Sequence, residues 1–221
     1  MIANSEYSRN AIFDAFEIDD IHVLSPPVDV STFRNGALRS MDRKDLILLV
    51  CRIDPLKEIE NAIKLARILR DSNIGKGMKI VGSISHYNLD YYSHLNKLVE
   101  DFDLGDYVTF ETNASLDRLL SIMREAKVYF HPMVGEHFGI SVAEAMAAGL
   151  IPVVPTVGGP KEFVFKKFHF TTLEEAVPII SSAFNLPFEE RVQISNSVNK
   201  FSTSNYIAGF QKIVKEMLSN R

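Results

Sequence analysis

Glu136 and Glu144 stand eight residues apart in the segment Glu136-His-Phe-Gly-Ile-Ser-Val-Ala-Glu144-Ala-Met-Ala-Ala-Gly149, with Gly139 between them. The pattern predicts a strand exit, a glycine at a helix mouth and a helix closed by Gly149. The first amides of a helix have no partner within it and its dipole is positive there, so an anion such as phosphate is the natural guest. Carboxylates flanking the mouth accept hydrogen bonds from hydroxyls, which sugars and ribose supply. Both acids also have plainer readings. Ser141-Val-Ala-Glu144 has the spacing of a capping box, in which the serine bonds the third helical amide and the glutamate reaches back. Glu136 can be a solvated loop carboxylate, although its place at the carboxyl end of a strand favours function.

Arg52 and Lys57 flank the end of an earlier strand and the start of its helix. Alone, each is an ordinary surface cation. On the same sheet edge as the glycine mouth they would neutralise a diphosphate without Mg²⁺, Arg52 through its planar fork and Lys57 as a point charge. Gly82, after the second strand, is either a turn glycine or a point of close backbone approach. Other chemistries find less support. No G-x-G-x-x-G follows the first strand and no G-x-x-x-x-G-K-[ST] occurs, which weakens hydride transfer and P-loop ATPase readings. Gly139-Ile-Ser141-Val-Ala143 departs from a nucleophile elbow in its last position, and only His169 follows it as a base. The histidines are scattered without H-E-x-x-H spacing, so no metal site is expected.

The elements that must hold these residues alternate. Apolar runs at Asp45 to Cys51, Met78 to Val81, Tyr107 to Phe110, Val128 to His131 and Ile151 to Val154 read as strands, with a short one at Phe168 to Phe170. Between them, helical spacing appears at Leu56 to Leu69, Leu89 to Phe102, Leu116 to Glu125 and Ser141 to Ala148. Strands joined by such helices make right-handed crossovers, so the fold class is α/β, a doubly wound parallel sheet. Ligands in such sheets bind beyond the carboxyl ends of the strands, at Arg52, Gly82-Ser83, Glu111 to Asn113 and Pro132 to Gly139. Residues 1 to 28, with an N-cap-like Asn4-Ser5, a strand at Ile21 to Leu24 and Pro26-Pro27, read as the tail of another unit; polar Arg34 to Lys44 reads as linker. Glu174 to Phe184, Pro187 to Val198 and Tyr206 to Leu218 are helix-length, the last with an apolar stripe through Ile207, Phe210, Ile213, Val214 and Met217.

Composition bounds the rest. With 221 residues, 46% of them hydrophobic and 24% charged, the chain is of ordinary globular type and needs no staples. A net charge of −4, from 24 Lys+Arg against 28 Asp+Glu without a basic block, makes nucleic acid a poor partner. The single cysteine, Cys51, fits a reducing compartment, hence the cytoplasm. No transmembrane segment is expected, since Leu46 to Val50 is only strand length, and no secretory signal is visible at the start.

At these residues the sequence resembles family four of the retaining glycosyltransferases with the GT-B fold, in its nucleotide-sugar-binding half. The family's E-x7-E element corresponds to Glu136 and Glu144. Its G-R-x-x-x-x-K-G phosphate segment corresponds to Cys51-Arg52-Ile-Asp-Pro-Leu-Lys57-Glu58, and its P-V-V-x-x-x-x-G-G run to Pro152-Val-Val-Pro-Thr-Val-Gly158-Gly159. Glu136-His-Phe-Gly-Ile and Gly158-Gly-Pro-Lys resemble the dolichol-linked mannosyltransferases that use GDP-mannose. The resemblance implies catalytic roles for Arg52, Lys57 and Glu136, the cations on the donor diphosphate and Glu136 on hydroxyls of the transferred sugar. It implies substrate contact at Gly82, His137, Phe138, Gly139, Ile140 and Ser141, the amides of Phe138 to Ser141 completing the phosphate site, and ribose contact at Glu144. Cys51 and Glu58 replace the family's glycines, and Glu58 would partly neutralise Lys57.

The resemblance further implies a partition into 1-28, the tail of an N-terminal acceptor domain plus linker, 29-202, the donor-binding domain, and 203-221, a helix that packs back on the acceptor domain. The implied function moves a mannose- or glucose-type sugar from a GDP- or UDP-linked donor, a co-substrate rather than a cofactor, to a lipid-linked or saccharide acceptor. An acceptor domain or subunit would complete it, in the cytoplasm or at the cytoplasmic face of a membrane. The competing reading is a non-catalytic nucleotide or sugar-phosphate binding module.

Overall fold

The computed structural model describes residues 1–219. A short parallel pair, β1 (Ile2–Ala3) and β2 (His22–Val23), encloses α1 (Glu6–Phe16). Helix α2 (Val30–Phe33) leads to the main alternation: β3 (Lys44–Val50), α3 (Ile59–Asp71), β4 (Gly77–Gly82), α4 (Leu89–Asp101), β5 (Val108–Thr112), α5 (Leu116–Glu125), β6 (Ala126–Phe130), α6 (Ile140–Ala147), β7 (Ile151–Pro155) and β8 (His169–Phe170). Helices α7 (Leu173–Ala183), α8 (Phe188–Ser197) and α9 (Thr203–Ser219) finish the described chain.

The main sheet has six parallel strands in the order β5-β4-β3-β6-β7-β8. Strand β3 carries Leu46 to Leu49, all buried, as a strand covered on both faces must. Helix α3 buries Ile59, Ala62, Ile63, Ala66 and Leu69, the stripe its spacing predicts. The chain winds outward from β3 to β5, then returns to place β6 on the other side of β3. The crevice between the carboxyl ends of β3 and β6 is therefore the topological switch point, where doubly wound sheets bind ligands.

The segment read as a polar linker is structured. Asp29 caps α2, its carboxylate accepting from Thr32 N–H at 3.1 Å, and the helix runs on as a π-helical turn over Arg34–Leu38. Phe33, Ala37 and Leu38 are buried, so the spacing from Val30 to Phe33 to Ala37 is helical beneath a run of polar neighbours. Arg43, in the same stretch, is buried as well. The amino-terminal residues dock on the main core: the Glu162 carboxylate accepts from the amides of Glu6 and Tyr7 at 3.1 and 2.7 Å, at the positive end of α1. Of the α9 stripe, Ile213 is buried, while Ile207, Phe210, Val214 and Met217 are exposed.

Candidate functional site

A cavity of about 590 Å³ lies at the switch point, within the roughly 300–1,000 Å³ usual for small-molecule sites. Three strand exits and one helix mouth line it. The β3 exit contributes Cys51, exposed Arg52 and Lys57; the β4 exit contributes Gly82 and Ser83; His131 and Glu136 follow β6; Phe138, Gly139, Ile140, Ser141 and Glu144 open α6. Asn4 and Pro26 add a rim from the amino-terminal segment.

The β3 and β4 exits meet so closely that a Cβ on Gly82 would lie 1.8 Å from the Cys51 carbonyl oxygen. The close approach inferred for Gly82 is thus made to the protein's own backbone, where it joins the β3 and β4 exits. The Ile53 amide donates to the Ser83 carbonyl at 2.8 Å and fixes the same junction. Burial pushes the Cys51 thiol up to about 12, so it adds no charge at the cavity wall.

Helix α6 begins at Gly139, whose φ of 91° lies in the left-handed region that glycine adopts without strain. No side chain caps its first turn, which leaves amides at the positive end of the dipole facing the cavity. The capping box does not form. The helix starts before Ser141, so the serine lies within the first turn instead of at the cap. Its hydroxyl shares a 2.8 Å hydrogen bond with that of Tyr129, which also donates to the Val50 carbonyl at 3.1 Å. Tyr129, fully buried, thereby ties the end of β3 to the start of α6.

Released from capping, the Glu144 carboxyl lies on the cavity wall and is pushed up to about 7, first by burial and then by the charge of Asp29. A carboxyl raised in the folded state from its ordinary 4.5 binds more protons folded than unfolded between those values. Stability is then lost as pH rises from about 4.5 to about 7. Glu144→Gln is expected to abolish that loss and to gain roughly 3 kcal/mol at pH 8 relative to pH 4.5. Denaturant melts of variant and wild type across this range, compared as a difference, isolate Glu144 from other titrating groups; equal curves would refute the buried-carboxyl account.

Lys57 and Glu136 form a half-buried ion pair, Nζ to Oε2 at 2.7 Å, with Met133 Sδ 3.4 Å from the ammonium. Burial alone would raise the Glu136 carboxyl; the hydrogen bond and charge of Lys57 outweigh it and hold the group below its usual range. The expected neutralisation of Lys57 by Glu58 is corrected by this pair. Glu58 instead accepts from the Asn61 side chain at 3.0 Å, further along α3. The Gly158-Gly159 turn packs against the Glu136 loop: the Gly159 amide donates to the Glu136 carbonyl at 2.7 Å, and a Cβ on Gly159 would lie 2.1 Å from the His137 carbonyl.

One of the expected contact residues points elsewhere, and a second, Phe138, lines the cavity with its ring turned away. His137 turns to the amino-terminal segment: its Nδ1 lies 3.2 Å from the Ser8 hydroxyl, and its carbonyl accepts from Ser5 Oγ at 2.5 Å. Its side chain is absent from the cavity because α1 supplies the nearer partner. The ring of Phe138 packs in the core against Phe163 and Phe201, at 5.2 and 5.0 Å between centroids. Arg52, Lys57, Gly82, Glu136, Phe138, Gly139, Ile140, Ser141 and Glu144 all line the one cavity.

Ser83, expected from its place at a strand exit, lines it too, and so do His131, Asn4 and Pro26, which were not among the candidates drawn from sequence. His131 carried a signal as a strand-exit residue. Asn4 and Pro26 carried none, since only the docking of α1 brings them there. His131 is 3% exposed; burial first, then the Lys57 charge, lowers it to about 4 against the opposing pull of Glu136, so its ring is neutral at pH 7.

Residues 32–201 match the family described as glycosyl transferases group 1. A GDP-Man:Man(3)GlcNAc(2)-PP-Dol alpha-1,2-mannosyltransferase of Dictyostelium discoideum is 30% identical over 99% of this chain and 47% of its own length. The protein of the same description from Homo sapiens is 28% identical over 98% of this chain and 48% of its own. The chain thus spans about half the length of the curated relatives it matches. Among solved structures, a glycosyltransferase from Rickettsia africae superposes with a TM-score of 0.83 at 16% identity, covering 100% of this chain and 64% of that one. Anabaena HepE in complex with UDP and glucose gives 0.75 at 20% identity, covering 99% and 62%. Both share the fold.

Proposed function

Since the chain belongs to the glycosyl transferases group 1 family, we propose that it is the donor-binding part of a retaining glycosyltransferase that takes a sugar from a nucleoside diphosphate. The observation that carries the reading is the convergence of Arg52, Lys57 and the uncapped mouth of α6 on one cavity at the switch point. Two cations and a helix dipole match the charge of a diphosphate. Glu136 offers acceptors to hydroxyls of the sugar, and Glu144, on the first turns of α6, to those of the ribose. In the transfer step the bond from the anomeric carbon to the β-phosphate oxygen breaks and the leaving diphosphate gains charge. Arg52 and Lys57 stabilise that charge where it develops. The acceptor hydroxyl arrives on the same face, held by a part of the enzyme beyond this domain, and forms the new bond with retained configuration while its proton passes to the leaving phosphate oxygen.

The relatives described as GDP-Man:Man(3)GlcNAc(2)-PP-Dol mannosyltransferases support GDP-mannose as the donor and a lipid-linked saccharide as the acceptor. Among the described residues no helix is long and apolar enough to cross a membrane. In this reading the domain works on a lipid-linked acceptor at the cytoplasmic face of a membrane.

Calorimetry of the chain with GDP-mannose and UDP-glucose tests the proposal. Submillimolar binding of one of them, GDP-mannose being favoured, is expected. Folded protein that binds neither at millimolar ligand would overturn it.

A further inference from the structure

His131 closes the floor of the cavity, 3% exposed, with neither ring nitrogen hydrogen-bonded to any group of the protein. Its backbone N–H donates to the Val153 carbonyl at 2.9 Å, so the ring is presented from a residue that continues the sheet ladder just past β6. Buried polar atoms are nearly always satisfied, and a pair left open at a cavity wall calls for an occupant that supplies the missing partner.

The neighbouring groups limit what that occupant is. Nε2 lies 3.9 Å from Glu136 Oε2, too far for a direct hydrogen bond. An oxygen set off the line between them, about 2.8 Å from each, completes both contacts. Such an atom accepts from the imidazole N–H and donates to the carboxylate. A hydroxyl does both; an ionised phosphate oxygen has no proton for Glu136 and is repelled by it. Lys57 already takes one side of Oε2 at 2.7 Å, which leaves a carboxylate lone pair for the hydroxyl. A second cation beside Lys57 is disfavoured, so the ring serves as a neutral donor at Nε2 with Nδ1 as acceptor.

Resting on the reading of this cavity as a nucleotide-sugar site, we propose that His131 selects the sugar: its Nε2–H donates to a hydroxyl of the transferred hexose, which donates in turn to Glu136. The residue touches the sugar and leaves the nucleotide to α6 and the two cations. A site built around a hydroxyl rejects ligands that lack it more strongly than an apolar pocket would, because its polar groups are then stranded.

Calorimetry of wild type, His131→Phe and His131→Gln with GDP-mannose, GDP, UDP-glucose and UDP tests this. His131→Phe is expected to weaken the sugar nucleotide tenfold or more while changing affinity for the free diphosphate less than twofold. His131→Gln, whose amide nitrogen falls near the Nε2 position, is expected to recover most of the loss. Equal effects on sugar nucleotide and free diphosphate, or none on either, overturn the proposal. Should His131→Phe not fold, wild type with ¹⁵N-labelled histidine decides. The Nε2 resonance of His131 is expected to move on addition of GDP-mannose and not of GDP, and an unmoved resonance in a sample that binds the sugar nucleotide overturns the assignment. Wild type that binds no nucleotide or sugar nucleotide overturns the reading of the cavity itself, a result distinct from binding with an unchanged ratio in the variants.

Discussion

Replacing Arg43 with leucine is expected to destabilise the fold by about 4 kcal/mol, a shift of roughly 10 °C in melting temperature for a domain of this size. The guanidinium is buried and bonds four backbone carbonyls: Met123 and Ala126 through Nη1, both at 2.7 Å, and Ala37 and Ala148 through Nη2, at 2.8 and 2.6 Å. Met123 and Ala126 lie at the end of α5, and Ala148 is the carboxyl-terminal cap of α6. Helix carboxyl termini carry partial negative charge, so they take the place of the carboxylate that a buried cation ordinarily requires. Burial first, and the charge of Arg191 second, lower Arg43 to about 9, which leaves it cationic at neutral pH.

Leucine fills the volume but strands the carbonyls, each at a cost of about 1–3 kcal/mol where no water reaches it. Arg43→Lys is expected to cost about half as much, because one ammonium keeps the charge but cannot span four acceptors. Urea melts check both. A loss below about 1 kcal/mol for leucine would show that the carbonyls find other partners. The clamp also bears on the site: Arg191 donates to the Gly149 carbonyl and Ser195 to that of Ala147, so three side chains pin the rear of the helix whose mouth faces the cavity.

Lys57→Ala is expected to lower affinity for GDP-mannose about a hundredfold, since a charge-assisted hydrogen bond contributes about 1.5–3 kcal/mol and each 1.4 kcal/mol is a factor of ten. The substitution has a second effect. Lys57 and Glu136 are 19% and 17% exposed, so removing the ammonium leaves a carboxylate in a poorly solvated place. Burial, no longer opposed by Lys57, then raises the Glu136 carboxyl, and about 2 kcal/mol of stability is lost at pH 7.

The double variant Lys57→Ala/Glu136→Gln separates the two effects. It is expected to recover the stability, because no buried charge remains, without recovering the affinity, because the cation is still missing. Calorimetry and melts on the two single variants and the double one close the cycle. Recovery of affinity along with stability would mean that Lys57 acts only by holding Glu136, and that the diphosphate is bound by Arg52 and α6.

The main sheet was legible in the sequence because its signal is local. Apolar runs at β3, β4, β6 and β7 and the apolar stripe of α3 are periodicities contained within a dozen residues, and they sufficed for an α/β sheet with its ligand edge at the strand exits. The same logic collected Arg52, Lys57, Gly82, Glu136 and the Gly139 turn, since each follows a strand directly and parallel strands end on one side.

Local spacing misled where a polar residue had two partners to choose from. Ser141 and Glu144 have capping-box spacing, yet the helix starts earlier and Tyr129 captures the serine. His137 sits among site residues in sequence, but Ser5 and Ser8 hold it outside the cavity. Glu58 is adjacent to Lys57, yet Glu136 takes the ammonium.

By itself, then, the sequence determined the wound sheet and which strand exits share an edge, through hydrophobic period and chain direction. The tertiary structure alone decided that Arg43, within an apparently polar linker, is buried, and that His131 faces the cavity unpartnered. The carbonyls that satisfy Arg43 lie 80, 83 and 105 residues away for Met123, Ala126 and Ala148, and Glu136 reaches Lys57 across 79. Burial of apolar groups is written in local pattern, whereas the pairing of buried polar groups exists only once distant segments are in place.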